Sequence, residues 1–223
     1  DEKCYNGYIP VPDGDLIERA AYAIYMECPV AEYVCVDIAE DGSIMVSSYK
    51  EDYEVHLNPT DNGGVKVVAR INPFYAKTQV QRTFKTEDDA DADAIRYLVW
   101  LAAQKFAARG NNSITHINRR NGVPSTINRD GNSVPVTSTQ RNAIEAIWST
   151  FPSVDDLFIE FAYCSPKSVN ISGHRVSCDV LSESLVCTYV NHYGQDWHSV
   201  DTSDGSTWSI KEAFKNVMEI PYG

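Results

Sequence analysis

Apolar residues recur at helical spacing in some stretches and alternate with polar ones in others, and the two patterns follow one another in the same order twice along the 223-residue chain. Leu16, Ile17, Ala20, Ala21 and Ile24 form the first helical stripe. Asp13-Gly14-Asp15 offers a cap before it, and Pro29 after Cys28 discourages its continuation. Tyr33 to Ile38 alternates Val34, Val36 and Ile38 with Tyr33, Cys35 and Asp37, and a turn at Glu40-Asp41-Gly42 leads to Ile44 through Tyr49, which predicts a hairpin. A short strand near Tyr53 to Leu57, a turn at Asp61-Asn62-Gly63-Gly64 and a strong strand from Val65 to Ile71 follow. Thr86 and Asp89 resemble a capping box, acids crowd the next turns, and Ile95, Leu98, Val99, Leu101, Ala102 and Phe106 make a second helical stripe closed by Arg109-Gly110.

After an irregular stretch the order restarts. Thr137 with Gln140 resembles another capping box, and Ile144, Ile147, Trp148 and Phe151 form a stripe ending at Pro152. Strands are expected at Leu157 to Tyr163, His174 to Val180 and Leu185 to His192, and a last amphipathic helix carries Trp208, Ile210, Ala213, Phe214, Val217 and Met218. The expected fold is α+β: two helix-plus-antiparallel-sheet lobes, 1–109 and 137–223, related by a pseudo-duplication at an offset of about 120 residues and joined by an Asn/Ser/Gly/Arg-rich linker or exposed loop over 110–136.

The cysteines change this picture. Cys4, Cys28 and Cys35 lie in the first half and Cys164, Cys178 and Cys187 in the second. An odd number on each side means that a fully oxidised chain carries one or three bridges across the middle. Loop length favours Cys178 with Cys187 and Cys28 with Cys35, leaving Cys4 with Cys164. No C-x-x-C pair offers a zinc template. A chain that opens at Asp1 with six cysteines therefore reads as a mature secreted, extracellular protein stabilised by disulfides. The sequons at Asn111 and Asn170 agree with a secretory route. The dibasic Arg119-Arg120, in the expected linker, is a candidate processing site.

A net charge of −12 argues against nucleic acid as partner, since that affinity comes from Lys and Arg displacing counterions. The middle runs the other way, with Arg109, Arg119, Arg120, Arg129 and Arg141 against Asp130 alone. No apolar run reaches the length of a membrane span.

Candidate chemistry is sparse. His192, Asp196 and His198 gather acid–base side chains in one short segment, with Glu160 or His174 as a further member from a neighbouring strand, and a secreted hydrolase or nuclease would use them. The plainer expectation is a polar loop anchored by Tyr193 and Trp197. Asp88, Asp89, Asp91 and Asp93 look like a calcium loop, but Ala94 and Trp100 stand where such a loop needs Gly and Glu, so these acids fit a helix N-terminus better. His56 and His116 show no partner in the sequence. No metal or cofactor is called for, and a carbohydrate-binding role would rest on Trp197 and Trp208 as aromatic platforms.

Two disulfide-linked lobes resemble, at the level of architecture, secreted fungal killer toxins and small effector proteins. With 13 tyrosines to anchor contacts and no catalytic signature, the expected function is that of a toxin or virulence effector acting on a protein target without catalysis.

Overall fold

A computed structural model describes residues 3–28, 30–48, 52–71, 78–161, 168–174, 176–180, 185–190 and 197–202. The chain divides into two compact units, Asp1–Ala107 and Ala108–Gly223. Both are α+β.

Unit 1 runs β1 (Lys3–Asn6), α1 (Leu16–Glu27), β2 (Tyr33–Ile38), β3 (Ile44–Ser48), β4 (Tyr53–Pro59), β5 (Val65–Ile71), β6 (Gln79–Phe84) and α2 (Ala92–Ala108). Its six strands form one antiparallel sheet in the order β1-β2-β3-β4-β5-β6. Period-2 alternation aims one side of every strand the same way. Val36, Val46, Val55 and Ala69 stand opposite one another in successive strands, all buried. Ala20, Ala21 and Ile24 of α1 and Ile95, Leu98, Val99 and Ala102 of α2 belong to the same core.

Two buried arginines tie the helices together. Arg19 of α1 donates through Nη1 to the carbonyls of Glu87 and Ala90, at 2.9 and 2.8 Å, in the turn that leads into α2. Arg96 of α2 donates through Nε to Glu27 Oε1 at the end of α1, at 2.6 Å.

Unit 2 runs β7 (Ile114–Asn118), a 3-10 turn (Arg119–Asn121), β8 (Thr126–Arg129), β9 (Asn132–Pro135), α3 (Ser138–Thr150), β10 (Asp156–Phe161), β11 (Val169–Gly173), β12 (Val176–Val180), β13 (Leu185–Val190) and β14 (Trp197–Thr202). The sheet order is β7-β10-β11-β12-β13-β14, again antiparallel throughout, with β8 and β9 as a separate hairpin. Setting that hairpin aside, the described strands of both units follow one scheme: an edge strand, a helix, then a five-stranded meander whose first strand pairs with the edge strand.

The likeness extends to single hydrogen bonds. Asp15 and Glu18 form a complete capping box on α1, and Thr137 and Gln140 form one on α3. Both helices end in a residue of near-identical conformation, Cys28 at φ −118°, ψ 82° and Phe151 at φ −118°, ψ 86°. Each cap N–H reaches the carbonyl four residues back. Each cap carbonyl then accepts from the N–H three residues on, Ala31 or Val154, at 3.0 Å. The edge strand is closed the same way too: Gly7 N–H donates to Glu32 O, and Arg119 N–H to Asp155 O.

Three expectations change. The stretch 110–136 is a folded part of unit 2 and not a linker. Asp130 and Gly131, at φ 48° and 82°, make the tight turn between β8 and β9, and φ > 0 at both central residues is what a two-residue hairpin turn requires. Ile117 and Ile127 from this stretch are buried in the unit 2 core. The arginines here are partly engaged: Arg129 lies 5.2 Å from the Phe161 ring centre, and Arg119 Nη2 donates to the carbonyls of Phe151 and Val154 at 2.9 and 2.7 Å. Second, α2 starts at Ala92. Thr86 and Asp89 exchange hydrogen bonds in a turn before it, and Asp91 accepts from Ala94 N–H at 2.7 Å as the working cap. Third, Trp197–Thr202 is a strand where a polar loop was expected. The helix expected around Trp208 lies outside the described residues.

Arg96→Ala leaves the partly buried Glu27 without this partner, and breaking such a pair from one side costs at most about 3–5 kcal/mol. Urea unfolding of the variant is expected to show that loss, while an Arg96→Met/Glu27→Met double variant recovers most of it. Cleavage after Arg120 requires Arg119 to leave its two carbonyls, so a dibasic-specific protease is expected to cut the native chain there far more slowly than the urea-unfolded chain. Fragment masses over a time course check this.

Candidate functional site

Helices cover one face of each sheet, and the polar side chains that strand alternation sends to the opposite face include two histidine–carboxylate pairs. In unit 1, Glu54 and His56 stand two residues apart on β4, so they share a face, and His56 Nε2 lies 2.8 Å from Glu54 Oε2. Register places Met45 and Val68 beside His56, and Ser47 and Arg70 beside Glu54. In unit 2, His116 of β7 reaches Asp156 of β10, with Nε2 2.7 Å from Oδ1. The same carboxylate oxygen accepts from Asn118 Nδ2 at 3.0 Å. The His116 ring stacks on Phe158 with centres 4.6 Å apart and planes 10° from parallel.

A carboxylate on one ring nitrogen fixes the tautomer and orientation of the imidazole, which is how a general base is held ready. Asp156 is buried while His116 keeps a third of its side chain in solvent, so this pair has the buried orienter and the accessible ring that such a role needs. The sequence showed neither pairing. His116 and Asp156 are 40 residues apart, and only the β7–β10 register brings them together.

The segment singled out in the sequence is described only in part. His192 and Asp196 lie outside the described residues, and His198 occupies β14 opposite Tyr189. Glu160 is exposed on β10, and His174 follows β11 in the turn before β12. Among the described residues, no three His, Cys, Asp or Glu side chains converge as metal ligands, and no helix is long and apolar enough to cross a membrane. Of the two sequons, Asn111 sits exposed in the turn after α2, where its Oδ1 accepts from Ser113 N–H at 3.0 Å. Asn170 is half-buried within β11 and accepts from Ser177 Oγ. Among the cysteines, Cys28 is buried at the α1 C-cap, Cys35 stands opposite Cys4, Cys178 stands opposite Cys187, and Cys164 lies outside the described residues.

A different surface stands out once exposure is known. Tyr8, Ile9 and Val11 follow the edge strand β1 and are 52%, 61% and 52% exposed, and Val30, beyond the end of α1, is 83% exposed. The bond from Gly7 N–H to Glu32 O brings the start of this run beside the chain entering β2, so Tyr8 and Val30 belong to the same end of the unit 1 sheet. Tyr8 is braced on Tyr5, ring centres 6.3 Å apart. Asp13, Asp15 and Glu32 are exposed in the same two segments. Apolar side chains this open, with acids exposed in the same two segments, have the composition of a contact surface.

Beneath α1, burial pushes the Tyr53 hydroxyl up to about 12, and the negative charges of Cys28, Glu27 and Asp52 add to the shift. Burial also raises the Cys28 thiol. Unfolded Tyr53 ionises at its ordinary 10.0 while the folded residue stays neutral. Its contribution to stability is therefore complete below that pH and is lost as pH rises towards about 12. Denaturation midpoints measured through this range are expected to fall, and Tyr53→Phe is expected to flatten part of the fall. Compared with protein-family models, curated proteins and solved structures, the chain matches none of them.

Proposed function

We propose that this is a secreted, disulfide-stabilised protein built from two duplicated α+β units, and that it acts as a toxin or effector by docking unit 1 onto a partner protein. The observation that carries the docking reading is the exposed group Tyr8, Ile9, Val11 and Val30. The acids exposed in the same two segments and the chain's net charge of −12 favour a partner whose own patch combines apolar residues with Lys and Arg. Tyr8 supplies an aromatic anchor already braced by Tyr5, so it loses little freedom on binding.

The duplication reading is supported by the common strand scheme, the matching caps of α1 and α3 and the equivalent Gly7–Glu32 and Arg119–Asp155 bonds. The secretory reading is supported by the cysteine content and by Asn111, whose exposed turn suits a glycan better than the half-buried strand position of Asn170.

The test replaces Ile9 by Asp and, separately, Tyr8 by Ala, both at exposed positions where folding is little affected. A cross-linker placed at Val11 on the otherwise native chain is expected to capture one partner from target cells, and each variant is expected to lose both that adduct and the biological effect. His116→Ala and His198→Ala are expected to keep them. Loss of the effect in a histidine variant, with full effect retained in Ile9→Asp, would sink the docking reading in favour of catalysis.

A further inference from the structure

Antiparallel register sets two pairs of cysteines directly across from each other. Cys4 of β1 is opposite Cys35 of β2, and Cys178 of β12 is opposite Cys187 of β13. Directly opposed residues in such a ladder have Cα atoms about 4.5 or 5.5 Å apart, according to whether the pair is hydrogen-bonded. Both values fall within the roughly 4.4–6.8 Å that a disulfide spans, so either kind of site can be bridged without moving the backbone.

The alternative partner for Cys35, suggested by loop length, is Cys28, which caps α1 and is buried among core residues. Cys35 lies on the opposite side of β2 from Val34 and Val36, the residues that enter that core. Strand alternation therefore separates Cys28 from Cys35 although only a turn lies between them in sequence.

We propose that the mature protein carries two disulfides, Cys4–Cys35 and Cys178–Cys187, each within its own unit. Each forms by exchange with an oxidising disulfide, either that of an oxidoreductase or oxidised glutathione. One cysteine thiolate attacks the donor disulfide, giving a mixed disulfide and releasing one donor thiol. The second thiolate then attacks the protein sulfur of that intermediate, closing the bridge and releasing the other donor thiol. Two electrons and two protons pass from the cysteine pair to the donor.

The first bridge fastens the four-residue edge strand β1 to the sheet immediately before Tyr8. The second joins two central strands of unit 2. Formation in the cell rests on the secretory reading, whereas the pairing rests on register alone.

The experiment has two arms. In the first, protein recovered from an oxidising secretory host is alkylated in denaturant without reductant, digested and mapped by mass. Peptides linked through Cys4–Cys35 and Cys178–Cys187 are expected, each lighter by two hydrogens than its reduced parts, and Cys35→Ser is expected to make Cys4 newly alkylatable. A Cys28–Cys35 or Cys4–Cys164 link would overturn the pairing. In the second arm, chain folded in the reduced state is exposed to oxidised glutathione and mapped in the same way. If the two bridges form here but not in the host, the secretory reading fails and the pairing stands. If they form in neither arm, or other links replace them, the pairing is wrong.

Discussion

A backbone N–H that reaches back four residues, at Cys28 and again at Phe151, fixes where the first helix of each unit stops and so where the strand after it begins. The next residue in each sequence is a proline, a residue type that has no N–H to extend a helix and disfavours helical conformation in the residue before it. The cap carbonyl is then used at once by the N–H three residues on, so the reversal leaves neither of its own polar groups unsatisfied. Moving the stop by one residue would turn the following strand over and send Val34 and Val36, or Leu157 and Ile159, to the face away from the helix. The core is thus specified by a local event at the helix end.

That locality explains which elements are legible in the chain. The cap offered at Asp13 to Asp15, the capping box at Thr137, the alternation over Tyr33–Ile38 and the strand over Val65–Ile71 are short-range signals, and the structure realises each where the pattern places it, whereas the box read at Thr86 closes a turn before α2. The strands that escape a reading of periodicity are mostly at sheet edges. β6 reads Gln-Val-Gln-Arg-Thr-Phe and β7 reads Ile-Thr-His-Ile-Asn. A strand with one neighbour buries less than a central one, so its composition drifts towards that of a loop. The β8–β9 hairpin is a different kind of omission. Its Asp-Gly turn is a recognised two-residue signal, obscured by the Asn, Ser and Arg around it.

Side-chain partnerships are legible only when register is known. His116 and Asp156 meet because the chain returns after α3 to lay β10 beside β7, and nothing near either residue announces the other. Sequence separation likewise favours joining Cys28 to Cys35, while the ladder sets Cys35 against Cys4. The two units also place their opposed cysteines differently: Cys178 continues the buried row of Ile159 and Ile171, whereas Cys35 is on the side of β2 away from the core. Common topology has not imposed common positions for cysteine.

The polar character of the edge strands has a further consequence. Along β6 the side chains of Gln79, Gln81, Arg82 and Thr83 are exposed, and the Arg82 guanidinium lies over the Phe84 ring, shielding the apolar residue that ends the strand. A strand from another molecule adding to this edge would gain backbone hydrogen bonds but would have to strip water from those side chains. The sheet of unit 1 is thereby kept finite at this edge. The composition that hides β6 from a reading of the sequence also guards the folded protein against growth into stacked, amyloid-like assemblies.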